Sequence, residues 1–166
     1  TRIEGLTSRA HEMESLVSTV SESIDDALSA SYERMTEDAP TRPLADVATL
    51  MRRGVKTQPA GRYAEMGIRS FGKGTFHKPV LTGEQLKSKR IFRVCAGDLV
   101  FMIVFAWEGA IAVAQPEDDG RVGSHRFLTF EVNPNLATAE YLCFHFLTPE
   151  GLEAIRGASP GSAGRN

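Results

Sequence analysis

The chain has 166 residues, 42% of them hydrophobic and 24% charged, which is ordinary globular composition with room for one sizeable core and an appendage. No apolar run reaches the roughly 18 residues that span a bilayer, and no basic-then-apolar leader opens the chain, so composition points to a soluble cytoplasmic protein without a membrane partner. Cys95 and Cys143 lack the close second Cys or paired His of a zinc or redox site and read as buried free thiols.

The formal charge of −2 conceals a segregation along the chain. Residues 1–41 carry three Arg against nine Asp or Glu, residues 42–93 carry twelve Lys or Arg against three acids, and residues 94–166 carry four basic against nine acidic residues. A basic block inside a near-neutral chain is the footprint of a polyanion-binding face. It also fits a solvated surface balanced in three dimensions by the acidic last third.

Taken in chain order, the first element is a helix. From Ile3 to Ala27, small or apolar residues recur in alternating steps of three and four (Ile3, Leu6, Ala10, Met13, Val17, Val20, Ile24, Ala27), a heptad seam widened by Leu16 and Leu28. The pattern predicts a helix of about 35 residues, on the order of 50 Å long. Such a helix cannot bury its stripe against itself, and no second heptad segment is present. It therefore calls for a partner helix or for self-association. Pro40 and Pro43 end it and place a boundary there, giving a coiled-coil spacer over 1–39 and a globular domain over 42–166.

Beyond that boundary, frequent Gly and Pro separate short apolar runs, which predicts an α+β domain with a mixed or antiparallel sheet. Strands are expected at Leu99–Val104, Ala110–Ala114 and Phe127–Val132, and short helices at Leu44–Met51, Ala139–Phe146 and Pro149–Ile155. The stretch 159–166 offers no core-forming residue and reads as a loop cut off in mid-course, so that the domain is C-terminally incomplete.

No catalytic constellation emerges. His11, His77, His125 and His145 fall in a heptad helix, a basic loop, a turn and a helix, without metal-ligand spacing. No nucleophile elbow, phosphate-binding loop or methyltransferase cofactor motif is present, so neither an enzyme nor a cofactor is expected. The binding signal is stronger. Arg52, Arg53, Lys56, Arg62 and Tyr63 lead into GIRSFGKGTFHKP (67–79), followed by Lys87, Lys89 and Arg90. Glycines let a loop approach a phosphate backbone, and Arg or Lys neutralise phosphates or read guanine edges. The same stretch also fits a plain flexible hairpin.

RIEGL (2–6) with the heptads behind it, RPLADVATLMRRG (42–54), GIRSFGKGTF, GDLVF (97–101), AWEGAIAVA (106–114), GSHRF (123–127) and SPGSAGRN (159–166) occur in an order that resembles specificity subunits of type I restriction-modification systems over essentially the whole chain. The resemblance implies one target-recognition domain with its preceding spacer helix. Such a unit binds double-stranded DNA, reads one half of a split site, and docks methyltransferase subunits and, through them, restriction subunits. The family pattern continues into a second spacer helix that this sequence lacks.

Carried onto this sequence, the DNA contacts fall on Arg52, Arg53, Lys56, Arg69, Ser70, Lys73, Lys78, Lys89 and Arg90, with a second cluster at Ser124, His125 and Arg126. Arg69 and Lys73 suit base edges; Lys87, Lys89 and Arg90 suit backbone tracking. Arg126 is equally suited to a salt bridge with Glu117–Asp119, and Phe105 and Trp107 read as core. Two other readings stay open: the recognition region of a fused restriction-methylation enzyme, and a coiled-coil adaptor whose head binds protein.

Overall fold

The computed structural model describes residues 2–87 and 89–158, the side chains of 2–4 excepted, so the terminal stretch read as a truncated loop lies outside the described residues. The architecture is α+β: a long N-terminal helix followed by a sheet-containing globular region. By its contacts the chain divides into two compact units, 1–41 and 42–166.

The first unit is a single helix, α1 (Arg2–Thr36), of the length that the heptad spacing predicts. Its seam residues Leu6, Met13, Leu16, Val17, Val20, Ile24 and Leu28 are all exposed. The Ala39 N–H closes the helix end on the Thr36 carbonyl at 3.1 Å, just before the two prolines.

The second unit begins with α2 (Leu44–Val47) and β1 (Ala48–Met51). The single helix expected over Leu44–Met51 is thus half strand. Ala48–Met51 pairs antiparallel with the last strand, and that ladder overrides a local pattern that suits either state. There follow β2 (Gly54–Val55), β3 (Arg62–Ile68), β4 (Thr75–Thr82), α3 (Gly83–Leu86), β5 (Ile91–Arg93), β6 (Leu99–Met102), β7 (Ile111–Val113), β8 (Val122–Ser124) and β9 (Phe127–Val132). The chain then enters α4 (Ala139–Leu147) and α5 (Pro149–Ala158).

Two sheets result: a four-stranded antiparallel sheet in the order β1-β9-β6-β7, and a five-stranded mixed sheet in the order β2-β5-β8-β3-β4. Period-two alternation in the four-stranded sheet sends its side chains to two cores. Leu99, Phe101 and Ile111 pack with α4 residues Ala139 and Leu142, whereas Val100, Ala110 and Ala112 pack with Met66 and Ile68 of β3 and with Phe127. Phe101 anchors the helix side, edge-on to Phe130 at 5.6 Å and to Phe146 at 5.4 Å. A third cluster holds α3 against the five-stranded sheet through Leu86, Ile91 and Val122. Both cysteines are free but only partly buried; burial, with Glu140 beside it, pushes the Cys143 thiol up to about 11.

Candidate nucleic-acid interface

The strand directions of the five-stranded sheet decide where the cationic residues go. β3 and β8 run parallel, while β4, β5 and β2 run antiparallel to their neighbours. One end of the sheet therefore receives the chain leaving β2, β3 and β8 and the chain entering β4 and β5. The register makes this specific. Val55 pairs with Ile91 and Ile91 with Ser124, so Lys56, Arg90 and His125 are the next residues beyond the paired strands at the same sheet end. On the other side Ile68 pairs with Thr75, and the loop 69–74 continues the row with Arg69, Ser70 and Lys73. Lys89 and Arg126 are adjacent in sequence to this row. The topology thus gathers Lys56, Arg69, Ser70, Lys73, Lys89, Arg90, Ser124, His125 and Arg126 at one sheet end. Lys56, Arg69, Lys73, Lys89, Arg90, His125 and Arg126 are exposed, and Ser70 and Ser124 half-buried.

The other candidates sit elsewhere or are engaged within the fold. Arg53 forms a two-point pair with Asp98, at 2.7 and 3.1 Å, and reaches Glu131 at 3.5 Å. Burial opposes its charge, but the Asp98 hydrogen bonds and charge outweigh that and raise its pKa above the usual guanidinium value. Arg52 lies 3.7 Å from the centre of the Phe92 ring and donates to the carbonyls of Phe127 (2.7 Å) and His125 (3.3 Å), so it braces the β8–β9 turn although it is exposed. Lys78 is half-buried within the edge strand β4, over the Phe76 ring at 5.7 Å. Arg69 lies over the same ring at 5.1 Å, and its guanidinium also donates to the Thr75 carbonyl. The side chain of Arg126 makes no ion pair with Glu117–Asp119 among the described residues.

One further segment connects the two clusters. Ile103–Gly109, the link from β6 to β7, gives its Ile103 N–H to the Arg126 carbonyl (3.1 Å). Its Glu108 and Gly109 carbonyls accept from the N–H groups of Phe71 (2.8 Å) and Gly72 (2.9 Å). It bridges the 69–74 loop and the 124–126 turn. Phe105 and Trp107, expected inside, are 47% and 37% exposed. The apolar wording of AWEGAIAVA hid this; the signal was the Trp-Glu-Gly break, where a 3₁₀ turn (Ala106–Glu108) ends on a left-handed Gly109.

His77, read as part of a basic loop, is on β4 and has a structural partner. The Asp118 carboxylate, 0% exposed, accepts from His77 Nε2 and Thr75 Oγ1, both at 2.8 Å, and from the Gln115 N–H at 3.0 Å. Burial pushes this carboxyl up, but the bonds from Gln115, His77 and Thr75 together outweigh it and hold its pKa below the ordinary value. A depressed folded-state pKa supplies stability above the unfolded value of about 4 and loses it as pH falls further. Asp118→Asn is therefore expected to lower the melting temperature at neutral pH and to flatten its fall below about pH 4, as followed by circular dichroism.

Among the described residues no cluster of His, Cys, Asp or Glu is placed to hold a metal ion, and no helix is long and apolar enough to cross a membrane. No protein-family model and no curated protein sequence matches the chain. Among solved structures there is a likeness. A structure described as the crystal structure of the HsdS subunit from Thermoanaerobacter tengcongensis is similar at a TM-score of 0.46 with 23% identity. The match covers 68% of this chain and 31% of that one, so the present chain spans about a third of its length.

Proposed function

We propose that the globular unit, 42–166, is a recognition domain for double-stranded DNA that reads one half of a split site as part of a type I restriction-modification specificity subunit, and that it performs no chemistry. The observation that carries this is the row of Lys56, Arg90, His125, Arg69 and Lys73 across the five-stranded sheet. Four inter-strand spacings of about 4.8 Å make the row roughly 19 Å wide. A major groove is about 12 Å wide, so the row covers one groove and its flanking phosphates. The order of the family-like motifs supports the finer assignment. In this reading residues 1–39 are the spacer whose exposed seam takes a partner helix and docks methyltransferase subunits, and through them restriction subunits, in the cytoplasm.

Exposed Ile103, Phe105 and Trp107 favour a second reading, a head that binds protein. A salt titration separates the two. If the row meets phosphates, the affinity of the full chain for duplex DNA falls steeply with salt, with a log–log slope of about −4 to −6. Association that ignores salt, or no retention of duplex even at low salt, rejects the DNA reading.

A further inference from the structure

The loop joining β3 to β4 contains the most exposed large apolar side chain among the described residues, Phe71, at 73%. Its backbone is left-handed, with φ 62°, and Gly72 and Gly74 follow at 63° and 74°. Glycine or asparagine adopts that conformation readily, whereas a bulky residue there is strained. The strain is fixed in place. The Phe71 and Gly72 N–H groups donate to the Glu108 and Gly109 carbonyls, Ser70 Oγ donates to Glu108 Oε2 at 3.1 Å, and the Arg69 N–H closes the loop on the Gly74 carbonyl at 2.9 Å. Behind the loop, Gly72 lies close to α4: a Cβ there would stand 2.8 Å from the Leu147 side chain. An exposed ring on an anchored, strained backbone contributes no core packing. Strain retained in this way points to a binding role for the side chain.

The neighbours say what the ring meets. Lys73 Nζ lies 5.9 Å from its centre, and Arg69 starts the same loop. A protein's apolar patch would have to strip water from both cations, whereas a nucleic acid offers phosphates to the cations and stacked flat faces to the ring. We infer that Phe71 is a wedge that enters the base stack of a bound duplex and gives the domain a preference for a readily unstacked step. This rests on the DNA reading above and adds selectivity that needs no hydrogen bond to a base edge. Apolar side chains inserted between base pairs unstack and kink DNA, and pyrimidine–purine steps yield most easily.

The test uses the full chain and a duplex that the wild type enriches from a randomised pool, labelled with a fluorescent adenine analogue at each position in turn. Wild type is expected to raise the emission at one step, a pyrimidine–purine step. Phe71→Gly keeps the fold, because glycine suits the left-handed backbone, and its melting temperature is expected to be equal or higher. That variant is expected to lose the emission rise and to bind about ten- to a hundredfold more weakly, with the salt slope unchanged because no phosphate contact is lost. Phe71→Trp is expected to retain the rise.

Emission unchanged at every position in the wild type, or a Phe71→Gly affinity within about twofold of wild type, overturns the wedge while leaving DNA binding intact. Duplex retained without enrichment of any sequence overturns the step preference. A wild-type chain that retains no duplex at low salt removes the DNA reading and the wedge with it.

Discussion

Asp98→Ala is expected to destabilise the globular unit by about 2–3 kcal/mol, lowering its melting temperature by roughly 10 °C. Asp98 is the first residue before β6, with its side chain 4% exposed, and its oxygens accept from both terminal nitrogens of Arg53 and from the Cys95 N–H at 2.7 Å. Removing the carboxylate leaves a guanidinium and an amide without their acceptor. Because Arg53 is 23% exposed, water relieves part of that loss, which places the effect below that of a fully buried pair. Arg53→Lys is expected to recover only part of the stability lost in Arg53→Ala, since an ammonium cannot make the two-point contact. The same geometry separates Arg53 from the proposed DNA surface. At a temperature where both are folded, Arg53→Ala is expected to bind duplex DNA within about twofold of wild type. Thermal melts on the three variants, and duplex binding by Arg53→Ala, check these statements.

Arg53 also illustrates what the sequence could not say. Its charge and its place in the basic block made it a DNA candidate, but its partner Asp98 is far along the chain and only the fold brings them together. The helix α1 was legible because a long amphipathic helix writes its period directly into the chain, and β9 was legible because Phe127–Val132 is rich in aromatic and β-branched residues. The β3–β4 hairpin was not. β3 is buried at three successive positions, Met66, Gly67 and Ile68, and its register shifts between Ala64 and Met66, so no period-two pattern survives. The candidate surface was half legible. Residue types made Lys56, Arg69, Lys73, Lys89, Arg90 and His125 candidates, but that Arg69 and Lys73 lie at the same sheet end as the others depends on the parallel β3–β8 pair, which no local pattern encodes. Phe71 was invisible for a related reason, because a side chain's exposure depends on loop geometry.

Replacing Lys56, Lys89 and Arg90 together by alanine is expected to have the largest effect on DNA binding. All three are exposed, and none makes a side-chain hydrogen bond or ion pair among the described residues, so the fold is expected to stay within about 0.5 kcal/mol of wild type. They flank the adjacent strands β2 and β5 at the sheet end, Lys56 directly after Val55 and Arg90 directly before its partner Ile91. Each lost phosphate contact reduces the log–log salt slope by about 0.9, so the triple variant is expected to lose nearly three units of slope. Near 0.1 M salt this weakens binding on the order of a hundredfold or more, for every duplex sequence alike. Phosphate contacts carry no sequence information, so the sequence enriched from a randomised pool is expected to be the wild-type one. Arg69 and Lys73 lie in the β3–β4 loop; if that loop reads bases, their replacement is expected to change the enriched sequence itself. A triple variant with unchanged slope would remove this sheet end from the DNA surface. One that keeps its affinity but enriches a different sequence would make these three residues base readers and reverse the division of labour between the two halves of the row.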